Sequence, residues 1–372
     1  MSENFYTTST SRARDLELDT RPVSVLAFGS QLFSGGVGLN ASLPVYVEAD
    51  IRCAGAPTLL LSNLPHYPSV QTLDVSADWM GRALNDLADT GALDELRAVA
   101  VGYLADPAQA YAIARWFEAL PRSGRPLFVL DPTFGDGDVG FYTNPAVVPA
   151  IREALVPLAN IMTPNAFELL HLTADRVDTR SSDRVGQDAR AAEETADMEV
   201  ARKELGTRGE GEGDTRVLAS QSSHDASVSQ AELDTLVVRA RLLMTPNTRA
   251  VVLTGVRGTR ASVESSRNVG SSVRLSLDGD AHGDMHSDTY SGTHGSDTHN
   301  GTHGDTEAPL IGNVIVSGAG VKSFFLPEVP TRTKGLGDTF TAALVANYLR
   351  LADLDAAVQT AAAYVQQAIL NR

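Results

Sequence analysis

Between residues 22 and 175 short apolar runs alternate with helix-patterned segments, and this alternation most narrows the choice of fold. The runs at 23–28, 58–62, 98–104, 126–130 and 160–163 read as strands. The segments at 76–89, 107–120 and 145–158 read as helices, the second opening on Pro107, where a missing N–H costs little. Such alternation favours an α/β fold with a mainly parallel central sheet and helices on both faces. The pattern resumes with a helix at 230–244, strands at 250–255, 310–317 and 321–326, and a closing helix pair at 339–351 and 354–370.

Two tracts interrupt it. Residues 176–229 are rich in Asp, Glu, Arg, Ser and Gly, with few aromatics. Residues 265–307 repeat Gly, Asp, Ser, Thr and His, including His282, His286, His294, His299 and His303. Both read as disordered insertions, because such composition buries too little apolar surface to offset ordering. The histidine tract has the side chains to bind a transition metal, but its irregular spacing and the cost of ordering it favour a solvated loop. Residues 1–21 are polar, show no apolar secretory core and read as a disordered lead. The expected organisation is therefore a lead at 1–21 and one domain over 22–372, interrupted at 176–229 and 265–307.

The bulk numbers exclude several classes. The chain has 372 residues, 43% of them hydrophobic, enough for a sizeable core. A net charge of -16 with no offsetting basic stripe argues against a general nucleic-acid partner. The one cysteine, Cys53, rules out an internal disulfide or a cysteine metal cluster, and it fits an expected cytoplasmic location. No apolar run approaches the length of a membrane span.

Polar groups recur just past the expected strand ends: Ser30, Asp131, Thr163 and Thr254, then the loop at 335–338. Ligands of open α/β sheets bind along the edge formed by the carboxyl ends of the strands. The loop Gly335-Leu336-Gly337-Asp338 runs straight into an apolar helix. Its glycines let backbone N–H groups converge, and the helix N-terminus favours a phosphate or developing negative charge. An aspartate there suits a general base that takes the proton from an attacking hydroxyl. On this stretch alone, an ordinary loop with Asp338 as helix N-cap fits equally well.

Four stretches carry a family resemblance: Gly29-Ser30-Gln31 with Gly35-Gly36-Val37-Gly38; residues 58–67, ending Ser62-Asn63-Leu64-Pro65-His66-Tyr67; residues 131–142, from Asp131-Pro132-Thr133 to Phe141-Tyr142; and Thr163-Pro164-Asn165-Ala166-Phe167-Glu168-Leu169. With the terminal loop they resemble the ribokinase-like superfamily and, within it, the pyridoxal kinases. The resemblance implies ATP-dependent phosphorylation of the 5′-hydroxymethyl group of a B6 vitamer, with Mg²⁺ and room for a monovalent cation such as K⁺. It implies Asp338 as catalytic base and Gly335, Leu336 and Gly337 as anion hole. Ser30, Thr58 and His66 would contact substrate. Asp131, Thr163, Glu168 and Thr254 would contact ATP, with Tyr142 and Glu168 at the metal. Oxygen-only groups beside phosphates suit Mg²⁺ better than zinc. Small-molecule substrates and a homodimer complete what the resemblance implies.

Ser34 and Leu39 stand where relatives commonly carry a tyrosine and an asparagine, and both are expected near the substrate. One alternative is a hydroxymethylpyrimidine kinase of thiamine synthesis, with the same fold and base; the His66 loop disfavours it. Another is a non-catalytic homologue that binds a B6 vitamer, against which the intact motif at 335–338 argues.

Overall fold

The computed structural model describes residues 21–178, 228–258, 272–275 and 309–371. The expected lead and nearly all of the two interrupting tracts, histidines included, lie outside the described residues.

Ten strands form one sheet in the order β10-β12-β11-β9-β8-β5-β4-β1-β2-β3. Its centre is parallel: β1 (Val25–Leu32), β2 (Cys53–Leu61), β4 (Ala98–Val101), β5 (Leu127–Leu130), β8 (Ile161–Met162) and β9 (Ala250–Gly258). β3 (Thr72–Asp74) is antiparallel to β2, and β11 (Leu310–Ser317) is antiparallel to both β9 and β12 (Gly320–Pro327). β10 (Ser272–Leu275) runs parallel to β12 as the edge strand, so four residues of the tract expected at 265–307 belong to the sheet. A small hairpin, β6 (Gly135–Asp136) and β7 (Gly140–Phe141), stands apart from it.

Both faces of the central strands are apolar, as expected where helices cover both sides. Side chains alternate with period two. Leu26, Phe28, Val99, Val101, Phe128, Leu130 and Met162 enter one core. Val25, Ala27, Ala98, Ala100, Leu127, Val129 and Ile161 enter the other. The first face carries α2 (Ala77–Asp89), α3 (Pro107–Ala119), α4 (Val147–Ala150), α5 (Ala166–Leu172) and α7 (Gln230–Leu243). The second carries α1 (Leu39–Glu48), α8 (Leu336–Leu351) and α9 (Leu354–Leu370). A short α6 (Ala174–Asp178) follows α5.

Most helix starts are set locally. Ser76 caps α2, and Asp106 with Gln109, Asn165 with Glu168 and Ser229 with Glu232 form capping boxes for α3, α5 and α7. The helix expected at 145–158 is α4 followed by a π-turn over Ile151–Leu155, where Val156 N–H reaches back to the Ile151 carbonyl.

The first strand runs four residues past its expected end at Phe28, so Ser30 lies inside β1. Gly29 pairs with Pro57 but Ser30 pairs with Leu59, leaving Thr58 as the extra residue of a bulge. The buried Gln109 stitches this irregularity to its neighbours. Its amide N donates to the Thr58 carbonyl at 2.8 Å and the Val75 carbonyl at 2.7 Å, while its amide O accepts from Ala105 N–H at 2.9 Å. Replacing Gln109 with Met keeps the volume but strands these backbone groups. The expected loss is on the order of 3 kcal/mol, seen as a lower urea midpoint with an unchanged slope.

Candidate active site

The N-terminus of α8 is fixed by two interlocked glycine turns. Gly335 caps the helix at φ 81°, and a Cβ there would fall 2.0 Å from the Gly36 carbonyl oxygen. Gly38 sits at φ 58°, and a Cβ there would fall 2.2 Å from the Ser30 carbonyl oxygen and 2.4 Å from its Oγ. Only glycine fits either place, for conformation and for space. Across this contact Asp338, in the first turn of α8, accepts a 2.8 Å hydrogen bond from Gly38 N–H. Asp338 is therefore the third residue of the helix and not its cap. Leu336 and Gly337 precede it, with N–H groups that have no partner within the helix. Ser30, buried to 7% exposure, lies against Gly38 and so joins the same cluster.

Asp131 and Thr163 follow β5 and β8 directly, as their strand-end positions predict. Thr341 Oγ1, one turn beyond Asp338 on α8, donates to Asp131 Oδ2 at 3.0 Å. Thr163 Oγ1 lies 3.0 Å from Thr341 Oγ1. The Asp131 carboxylate also lies against the start of α8, 4.0 Å from where a Cβ on Gly337 would be. Glu168 is 3% exposed and both its oxygens are engaged: Oε2 accepts from Asn165 N–H at 2.9 Å and Oε1 from Phe134 N–H at 3.3 Å. Asn165 also donates its side-chain N–H to the Gly135 carbonyl at 2.9 Å, which fastens the β6–β7 hairpin to α5.

Three acidic groups thus share one edge, and burial with mutual repulsion governs their protonation. Burial lifts Asp338 to about 6, opposed by N–H donation from Gly38 and from its own backbone. Burial first, then the charge of Asp338, lifts Asp131 to about 7, opposed by the hydroxyls of Thr341 and Thr133. Glu168 is raised well above the usual carboxylate range by burial and by Asp131, against N–H donation from Asn165, Phe134 and Gly135. The Tyr142 hydroxyl is raised by burial and by Glu168, Asp131, Asp338 and Asp136, which places it within the same field. A carboxylate at about 6 is still ionised at neutral pH and closer to the value that suits a general base.

Other expected residues stand differently. Thr58 is fully buried and donates its hydroxyl to the Tyr103 carbonyl at 2.6 Å. His66 is exposed and stacks on Tyr67 with ring centroids 5.2 Å apart; no described contact joins it to Asp338. Thr254 lies within β9, and its N–H donates to the Pro164 carbonyl at 3.1 Å, beside Thr163. Leu39 turns into the core against Gly29 and Gly55. The polar group at that end is Asn40, whose amide holds both the N–H and the carbonyl of Leu32 at 2.9 Å. Thr341, Thr133 and Asn40 were not singled out in the sequence. The i+3 spacing of Thr341 from Asp338 is the signal that places both on one helix face.

Among the described residues no three His, Cys, Asp or Glu side chains are grouped to hold a metal by themselves. Asp131, Glu168 and Tyr142 offer hard oxygens only, and the repulsion between Asp131 and Glu168 is of the kind a cation relieves. With both Glu168 oxygens accepting N–H bonds, the set fits a Mg²⁺ ion held largely through phosphate and water oxygens.

This mainly parallel sheet with helices on both faces is similar in fold to solved pyridoxal kinases. The enzyme from Entamoeba histolytica aligns over 94% of this chain and 90% of its own, with TM-score 0.61 and 16% identity. The enzyme from Leishmania donovani, in complex with ADP and pyridoxine, aligns over 92% and 84%, with TM-score 0.58 and 19% identity. The phosphomethylpyrimidine kinase family model matches residues 33–224 and 299–372, and the chain belongs to that family. The pyridoxine/pyridoxal/pyridoxamine kinase of Bordetella bronchiseptica is 44% identical over 153 residues, 41% of this chain and 54% of its own length. A pyridoxal kinase of Granulibacter bethesdensis is 31% identical over 232 residues, 60% of this chain and 74% of its own. The chain spans about half the length of the Bordetella relatives it matches.

Two outcomes follow from this geometry. Gly335→Ala meets a backbone oxygen at 2.0 Å, whereas Gly124→Ala, at φ 73°, meets open space. Denaturant unfolding is expected to show about 1 kcal/mol of loss at Gly124 and a clearly larger one at Gly335. Asp131 has its folded value raised from 3.8 to about 7, so the stability linked to its proton is present in acid and lost as pH rises through that window. The melting temperature of the protein without ligands is expected to fall between those values, and Asp131→Asn to flatten the fall. At pH 8 this variant should melt above the wild type.

Proposed function

We propose that this chain is an ATP-dependent kinase that transfers a phosphoryl group to the 5′-hydroxymethyl of pyridoxal, pyridoxine or pyridoxamine. The observation that carries it is Asp338, held by Gly38 N–H at the glycine-capped start of α8. An ionised carboxylate in the first turn of a helix is misplaced for binding phosphate and well placed for deprotonating a hydroxyl beside one. The names of the relatives and the ADP–pyridoxine complex of the Leishmania donovani enzyme support this acceptor and donor.

In this reading Asp338 accepts the hydroxymethyl proton as the oxygen attacks the γ-phosphorus. The N–H groups of Leu336 and Gly337 face the charge that builds on the transferring group. Ser30, pressed against Gly38, lies on the acceptor side. Asp131, Glu168, Thr163 and Tyr142 form the nucleotide side, and Mg²⁺ there would neutralise phosphate charge. A single kinase domain over 22–372, a homodimer, a cytoplasmic location and a monovalent cation such as K⁺ complete the proposal.

The test is a parallel assay of pyridoxal, pyridoxine, pyridoxamine and hydroxymethylpyrimidine with ATP and Mg²⁺, using wild type and Asp338→Ala. The expected result is turnover of a B6 vitamer, reduced by about 10²–10⁴-fold in the variant. Turnover of the pyrimidine alone would overturn the substrate. Undiminished turnover in Asp338→Ala would overturn the base.

A further inference from the structure

Threonine inside a helix commonly returns its hydroxyl to a backbone carbonyl one turn back. Among the described residues Thr339 does so to Gly335 at 2.8 Å, Thr235 to Ala231 at 2.9 Å, Thr360 to Ala356 at 2.8 Å and, at the end of α5, Thr173 to Leu169 at 2.8 Å. Thr341 does not. At 6% exposure in α8, it sends its only hydroxyl proton to Asp131 Oδ2. With Asp131 ionised that proton is committed, and the 3.0 Å contact with Thr163 Oγ1 then has one sense: Thr163 donates and Thr341 accepts. A directed chain, Thr163 to Thr341 to Asp131, therefore ties the ends of β8 and β5 to the helix that carries Asp338.

The chain has a job to do. Asp131 is buried beside a second carboxylate whose charge opposes its own. Donation from Thr341 to Oδ2, with the Thr133 hydroxyl also beside the carboxylate, holds the group in one orientation. Thr341 itself is walled off from solvent by the strand ends, and so acts through Asp131 and Thr163.

We propose that Thr341 is a positioning residue for the nucleotide–cation side of the site, dispensable for the acceptor side. The inference rests on the phosphoryl-transfer reading above and extends it to a residue outside the loop at 335–338. The experiment is calorimetric titration of AMP-PCP with Mg²⁺ into wild type, Thr341→Val and Thr341→Ser, with pyridoxal binding followed separately by absorbance. Loss of a hydrogen bond to a charged group is expected to weaken nucleotide binding about tenfold in Thr341→Val. Thr341→Ser should stay within about twofold of wild type, and pyridoxal binding should be unmoved in both.

Unchanged nucleotide affinity in folded Thr341→Val would overturn the proposal. So would an equal loss for nucleotide and pyridoxal, or failure of serine to restore binding, since each marks a brace for the fold alone. If the valine variant does not fold, Thr341→Ala removes the same hydroxyl with less demand on space, and a loss of about tenfold in nucleotide affinity alone is the expected result; no loss overturns it. Absence of nucleotide binding by the wild type would sink the phosphoryl-transfer reading first, and is distinguishable from all of these.

Discussion

The hydrogen bond from Gly38 N–H to Asp338 joins groups that lie 300 positions apart in the chain. Everything at the active edge depends on that junction. It forms only because two backbone turns, at Gly38 and Gly335, approach closer than any side chain allows. The approach in turn needs β1 to be central in the sheet and α8 to lie against α1, which the second apolar core provides. A bond to a charged group adds roughly 1.5–3 kcal/mol. The larger effect is geometric, because the same contact aims the first turn of α8 at the strand ends.

That arrangement concentrates negative charge. Asp338, Asp131 and Glu168 meet on one edge of a chain that already carries a net charge of -16. Compensation comes from dipoles and hydroxyls: Gly38 N–H for Asp338, Thr341 for Asp131, and the N–H groups of Asn165 and Phe134 for Glu168. Each is enough to hold its carboxylate in place and too little to restore an ordinary protonation range. That edge is thus electrostatically strained.

Much of this was legible in the sequence because it is local. The strand runs, the Pro107 and Ser76 helix starts, and the positions of Asp131 and Thr163 one residue past a strand follow from periodicity and capping. What stayed hidden depends on contacts between distant segments. Nothing around Thr58 announces a bulge, since the register slip is a property of β1 and β2 together. Ser30 was taken as lying beyond the strand for the same reason. Asn40 and Thr341 look like ordinary helix residues until their partners, Leu32 and Asp131, are seen across the fold. The family resemblance puts Leu39 near the substrate, where relatives commonly carry an asparagine, yet it packs against Gly29 and Gly55 in the core.

Glu168 illustrates a constraint of another kind. Its carboxylate closes the cap of α5 and also adds negative charge beside Asp131. A shorter side chain there would alter the electrostatics and unpin the first turn of the helix in one step, and glutamine, though it can close a capping box as Gln109 does, would accept only one of the two N–H bonds. The two properties are therefore inherited as a unit. A lineage of this fold can change the charge of this edge through Asp131, or its hydroxyl through Tyr142, neither of which caps a helix, far more readily than through Glu168. Divergence at this edge is channelled towards the strand ends and the hairpin, while the start of α5 is held still.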